Sequence, residues 1–329
     1  MPRRPPAVAR VLERVTATAR EHDMFSEADR VLVAVSGGPD STCLLYSLWM
    51  LRRLFKMQLE VFHFDHRLRP DSAKDAAYVK RTAAKLKLPF HLCEAHTKPK
   101  KGESIEAWAH GERLKTAIGV SLDIGGQRIA LGHTLDDQAE TVLIALMRGG
   151  GLEAVSGIDP SGGRLVRPLI RVRRAEVESF CRALGVRPRV DPTNRDTRLL
   201  RNAVRRTIIP AMEKATARDV KGPIARSADL LRSDLEQIRP REVEWSFAKP
   251  VDGGIALDVR ELGSMRPETA AFAVKVALRE ELAELPGKGH IDAVLDLAVG
   301  RPGRRVSLPG GFTAVREREY IRISSPEKP

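Results

Sequence analysis

The chain is expected to fold as an α/β protein, a doubly wound parallel sheet followed by a second, smaller, mainly helical C-terminal domain, and three features lead there. Apolar runs of strand length alternate with helical periodicity through the first half, the pattern of a parallel sheet with helices on both faces. The first run ends in a glycine-rich turn that carries a carboxylate. Beyond Pro210 the alternation stops and helical patterns take over.

Strands fall near 31–35, 59–64, 90–94, 128–132 and 165–169, with helices near 41–54, 72–87, 104–118 and 135–147 between them. Val31 to Val35 is mostly β-branched, as suits a strand buried on both faces. The later helices fall near 211–217, 223–238, 259–264, 267–283 and 289–298, and a short hairpin runs from Phe312 to Ile323. Residues 1–215 are therefore expected in the first domain and 216–329 in the second. Only the extreme ends, rich in proline and charge, read as disordered.

In such sheets ligands bind at the carboxyl ends of the strands, and the polar residues gather there. After Val35 comes Ser36-Gly37-Gly38-Pro39-Asp40-Ser41, where the glycines let backbone N–H groups turn toward an anion. The next helix points its positive end at the same place. A Walker-type loop would add a lysine to reach the terminal phosphates, and none is present. Asp40 instead suits a magnesium ion bridging phosphate oxygens. The segment resembles the PP-loop of N-type ATP pyrophosphatases, which implies a Rossmann-like fold and cleavage of ATP between its α and β phosphates.

Three further stretches carry polar chemistry. His63-Phe64-Asp65-His66-Arg67 ends the second strand as a nucleotide-facing loop; histidines three apart on a strand point to opposite faces, so a shared metal ion is not expected. Next, His133 precedes a helix on which Asp137 and Glu140, three apart, share a face. Beside a magnesium–ATP loop such carboxylates hold a cationic substrate or take its proton. Arg148 then leads a flexible turn of three glycines, where a substrate backbone can come close. Last, Asp191-Pro192-Thr193-Asn194-Arg195 opens a helix that places Arg198, Arg201, Asn202 and Arg205 on one face and Leu199, Ala203, Ile208 and Ile209 inward.

The formal net charge is +13 with a pI near 10.0, which points to a polyanionic partner. Thirteen arginines, no lysine and four acids lie between Arg164 and Arg206, and arginine alone suits planar contact with phosphate, so nucleic acid is the expected partner. Aromatic residues make up 5%, too few for a stacking platform to be evident. No apolar run is long enough to span a membrane and the start lacks a secretory signal, so a cytoplasmic location without membrane contact is expected. Cys43, Cys93 and Cys181 form no metal or disulfide pattern.

Together these segments resemble one branch of the PP-loop proteins, the tRNA(Ile)-lysidine synthetases. The resemblance runs through 36–41, 64–70, the helix from Glu106 to Arg113, 133–151, 167–170 and 191–210. It implies ATP-dependent adenylation of the C2 oxygen of the wobble cytidine in the CAU anticodon of tRNA(Ile), then attack by the ε-amine of L-lysine, changing codon specificity from AUG to AUA. It implies that Ser36, Gly37, Gly38, Pro39, Asp40, Ser41, His66 and His133 bind the nucleotide and that Asp40 carries magnesium. Asp137 and Glu140 would hold lysine and accept its proton, with Arg148, Arg201, Asn202 and Arg205 on the substrate side. Arg113 and Arg205 would stabilise charge during reaction. Both monomer and homodimer fit the chain. The family's further C-terminal domain is expected to be absent or reduced to Phe312–Ile323.

The chain departs from the family in having His110 three residues before Arg113, Leu114 just after it, and Arg67 where a small residue is usual. Two rival functions make different demands on the residues. tRNA thiolation would use the same activation but needs persulfide or cluster cysteines. A non-catalytic RNA-binding module would have no use for Asp40, Asp137 and Glu140 together.

Overall fold

The computed structural model describes residues 4–68, 71–99, 105–189, 199–238, 247–251, 254–281 and 287–324. It divides into two compact units, Met1–Ile238 and Arg239–Pro329.

The first unit opens with α1 (Pro6–Glu21), which buries Val8, Val11, Leu12, Val15, Thr18 and Ala19. That spacing is one helical face, and it was not anticipated. Then come β1 (Arg30–Ala34), α2 (Pro39–Leu51), β2 (Gln58–Asp65), α3 (Ser72–Leu86), β3 (Phe90–Glu94), α4 (Ile105–Asp123), β4 (Arg128–Ala130) and α5 (Leu135–Met147). A short α6 (Leu152–Val155) and the paired β5 (Ser161–Gly162) and β6 (Leu165–Val166) lead to α7 (Arg174–Ala183). The unit closes with α8 (Leu200–Ala203), a π-helical turn at Val204–Ile208, α9 (Ile209–Thr216) and α10 (Lys221–Ile238).

Among the described residues the strands form one sheet in the order β3-β2-β1-β4-β6-β5, parallel throughout except for the β5–β6 pair. Helices cover both faces. On one, α1, α2, α3 and α7 pack Leu44, Leu48, Val79 and Phe180 against Val31, Val33 and Val61. On the other, α4 sets Ala117 and Ile118 against Leu32, Phe62, Phe64 and Ile129. β1 lies at the centre, so the turn after it opens where the connections on its two sides diverge.

The compact unit runs to Ile238 and not to 215. α10 belongs with it: Ala225 and Ala228 are buried and the helix packs along α5 and α6. Arg232 fastens it, donating to the carbonyls of Ser156 at 2.5 Å and Ile158 at 3.0 Å.

The second unit contains α11 (Val259–Ser264), α12 (Pro267–Glu281) and α13 (Lys288–Val299), where helices were expected. It also holds a five-stranded antiparallel sheet: β7 (Ala248–Val251), β8 (Gly254–Asp258), β9 (Arg305–Ser307), β10 (Thr313–Arg316) and β11 (Tyr320–Ser324), in the order β7-β8-β11-β10-β9. The expected hairpin is thus β10–β11, with β8 and β9 paired on either side of it. Ile255, Leu257, Ala314, Ile321 and Ile323 point to the helices and form this unit's core. Its strands are short and share few apolar runs, so most of the sheet leaves no clear period in the sequence.

Among the described residues no helix is long and apolar enough to cross a membrane.

Candidate active site

At the end of β1 the chain turns through Ser36, Gly37 and Gly38 into α2. Gly37 has φ +91°, a conformation that side-chain-bearing residues rarely adopt. Gly38 is the N-cap of α2 and Pro39 its first residue, where the missing N–H costs nothing. The Ser41 hydroxyl knits the turn: it accepts from the Ser36 N–H at 3.1 Å, donates to the Gly38 carbonyl at 3.1 Å and lies 3.1 Å from the Ser36 hydroxyl. The end of β4 passes close by. A Cβ on Gly132 would come within 3.2 Å of the Ser41 nitrogen, a tight contact that would press on the start of α2. The first backbone N–H groups of α2, which have no acceptor within the helix, give this corner a positive polarity.

Asp40 stands in that corner. Its Oδ2 is 3.6 Å from Arg174 Nε, and its Oδ1 is buried without a hydrogen-bond partner among the described residues. Burial pushes its pKa up to about 6; Arg174 opposes the rise and Asp137 adds to it. An orphaned carboxylate oxygen beside two serine hydroxyls suits magnesium, which takes oxygen ligands and completes its shell with phosphate and water. Among the described residues no cluster of three metal-binding side chains exists, so any ion here would lean on the substrate for its other ligands.

Asp137 and Glu140 lie on the first turns of α5, both buried, as their shared helical face requires. Asp137 is part of a capping box: its Oδ2 accepts from the Thr134 N–H at 2.8 Å and the Thr134 hydroxyl at 2.7 Å. Its Oδ1 meets Arg174 at 3.1 Å, Arg201 at 3.3 Å and Arg205 at 3.5 Å. Glu140 is met by the same three: Arg174 Nη1 at 3.3 Å, Arg201 Nε at 3.0 Å, and Arg205 Nε at 2.7 Å and Nη2 at 2.9 Å. Burial alone would raise the pKa of Asp137, but Arg174 and Arg201, with the hydrogen bond from Thr134, hold it far below the usual carboxylate range. The same carboxylates hold Arg174 above its ordinary value despite its burial. Removing either partner from such a buried set would strand an uncompensated charge.

The other expected residues divide. His133 lies between β4 and α5; burial first, then the neighbouring Arg167, Arg201 and Arg113, lower its pKa to about 3, so it is neutral, and its buried Nδ1 has no hydrogen-bond partner among the described residues. His66 is likewise neutral, lowered to about 4 by burial and by Arg113. Arg113, on α4, approaches His110 Nδ1 at 3.4 Å and lowers the pKa of both His66 and His133. Arg205 sits on the π-helical turn, a departure from regular helix that often marks functional sites. Arg148 is not in the cluster: it is exposed at the C-cap of α5, roughly 12 Å along the helix from Glu140. Asn202 is buried beside Arg201, and Leu199 is exposed where it was expected inward. Residues 191–198, Arg198 included, lie outside the described residues.

Two site residues were missed. Thr134 had a signal, the Thr-x-x-Asp spacing of a capping box. Arg174 had none beyond the unrecognised amphipathic helix α7, which it begins. The arginine-rich segment also needs correction as a phosphate-binding face. Arg171 forks onto Glu21, Arg173 pairs with Asp219 at 2.8 and 2.6 Å, and Arg189 pairs with Asp75 at 2.9 Å. Arg164 and Arg167 donate to the carbonyls of Gly126 and Asp159. Much of this positive charge is engaged inside the fold. The cysteines are not activated: burial pushes the Cys43 thiol well up and that of Cys181 to about 12.

Residues 8–212 match the PP-loop domain family. A tRNA(Ile)-lysidine synthase from Caldanaerobacter subterraneus subsp. tengcongensis is 31% identical over 93% of the chain and 67% of its own length. One from Geobacter sulfurreducens is 34% identical over 95% and 69%, and one from Symbiobacterium thermophilum 39% identical over 68% and 48%. The chain thus spans about two thirds of the first two relatives and about half of the third. Among solved structures, a U34-tRNA thiolase, NcsA, from Methanococcus maripaludis shares the fold with TM-score 0.59 over 69% of this chain and 79% of that one, at 18% identity. With a PP-loop domain across most of its first unit and this likeness along almost its whole length, the chain belongs to the tRNA(Ile)-lysidine synthase family.

Proposed function

We propose that the protein is a carbon–nitrogen ligase that converts the wobble cytidine of the CAU anticodon of tRNA(Ile) to lysidine, using ATP and L-lysine and releasing pyrophosphate and AMP. The observation that carries this reading is the buried pair Asp137 and Glu140, joined to Asp40 through a shared contact with Arg174. A phosphate site alone has no need of that pair, whereas an enzyme that must bind and deprotonate an ammonium does.

In this reading the backbone amides of Gly37 and Gly38, with the hydroxyls of Ser36 and Ser41, bind the triphosphate. Asp40 holds magnesium, which when bound neutralises charge on the phosphate oxygens. The cytidine C2 oxygen attacks the α-phosphorus and pyrophosphate leaves. Neutral His133 and His66 line the nucleotide side without adding charge, and Arg113 offsets charge on the phosphates or the activated base. The lysine ammonium lies against Asp137 and Glu140, passes a proton to a carboxylate, and the free ε-amine attacks C2 and expels AMP. Thiolation lacks a thiolate here, since burial holds both Cys43 and Cys181 protonated.

Glu140→Gln tests the assignment. Pyrophosphate release in the presence of tRNA should persist, while lysine transfer falls by about 10²-fold or more. Equal loss of both half-reactions would count against a role for Glu140 in handling the amine.

A further inference from the structure

The two half-reactions use neighbouring sites, and one side chain touches both. Arg174 contacts Asp40 at 3.6 Å, Asp137 at 3.1 Å and Glu140 at 3.3 Å. Among the described residues, Arg201 and Arg205 form ion pairs only with the α5 pair. The base of Arg174 is fixed: its N–H donates to Asp136 Oδ2 at 2.8 Å, and Lys221 holds Asp136 Oδ1 at 3.0 Å. Its guanidinium lies at the end of a long, rotatable side chain.

The balance of charge governs access to the carboxylate pair. Among the described residues, three carboxylates, Asp40, Asp137 and Glu140, face three guanidiniums, Arg174, Arg201 and Arg205. A lysine ammonium would enter this set as a fourth cation in a buried site, which is unfavourable. A magnesium-bound triphosphate on the turn after β1 brings a net negative charge beside Asp40, and of the three guanidiniums on the α5 pair Arg174 is the one that already contacts Asp40, while Arg189, against Gly37, is paired with Asp75. Arg174 swinging there would free Asp137 Oδ1 and Glu140 Oε1 of one partner each.

Resting on the lysine-binding reading above, we propose that Arg174 is a positioning residue that couples the two sites: it closes the lysine site while the nucleotide site is empty and opens it when nucleotide binds. Nucleotide therefore precedes lysine, and lysine tightens nucleotide by the same factor.

The test is calorimetric titration of L-lysine into the full chain, with and without magnesium and α,β-methylene ATP, which is not cleaved. Wild type should gain roughly tenfold or more in lysine affinity when the analogue is present. Arg174→Gln should bind lysine equally well in both conditions. A merely structural role would weaken both titrations and leave their ratio unchanged. The full gain retained in Arg174→Gln overturns the coupling. Should that variant not fold, Arg174→Lys serves: a point charge cannot hold three carboxylates at once, so its gain should shrink, and an undiminished gain overturns the proposal. Wild type that binds no lysine in either condition removes the lysine reading itself, a result distinct from lost coupling.

Discussion

Asp40 is the residue on which burial and function conflict. Its folded carboxyl takes up a proton near pH 6, against 3.8 for the unfolded chain, so between those values the folded state holds more protons and stability falls as pH rises. Asp40→Asn removes the buried charge. It should stabilise the ligand-free protein at pH 7.5 by roughly 2 kcal/mol, with the gain vanishing below about pH 4, and abolish ATP cleavage. Thermal melts at the two pH values check this; an equal effect at both would show that Asp40 is not held in a charge-hostile place. The carboxylates of the site were legible because each stands in a short motif at a strand's end or a helix start. Arg174 was not, because an arginine among thirteen carries no local sign of which carboxylate it will meet across the fold.

At the scale of elements, α5 does most to set the site. Its N-cap Thr134 is fully buried and fixes Asp137 from two donors while accepting the Asp137 N–H at 3.4 Å. Thr134→Ala should cost about 1 kcal/mol of stability and raise the KM for lysine, and Thr134→Ser should restore most of both. An unchanged KM would mean that the three arginines alone orient Asp137. The parallel strands of the first sheet and helices α2 to α5 were legible from periodicity and the turn chemistry between them, whereas the two-residue edge strand β5 was not. α1 and α7 were not, although Val8, Val11, Leu12 and Val15 in one and Val177, Phe180 and Cys181 in the other carry helical spacing. The proline-rich start and the flanking arginines masked both faces.

For the molecule as a whole, the arginine-rich segment changes meaning once folded. Its density of charge suggested an open face for phosphate, yet Arg171, Arg173, Arg174, Arg189, Arg201 and Arg205 are engaged with carboxylates of the same unit. A composition cannot reveal such pairing, since it depends on which segments the sheet order brings together. The unit boundary makes the same point, because α10 looked like the first helix of a second domain and packs instead along α5. A chain ending at Ile238 should melt cooperatively and stay soluble, whereas one ending at residue 215 should lose stability and aggregate, as light scattering during a melt would show. Equal behaviour of the two would return the boundary to 215. The central claim is tested most directly by incorporation of radiolabelled lysine into tRNA(Ile) bearing a CAU anticodon, with ATP and magnesium present or omitted. Incorporation that requires both is the expected result; tRNA-dependent pyrophosphate release without any incorporated lysine would contradict it and show that a different nucleophile completes the reaction.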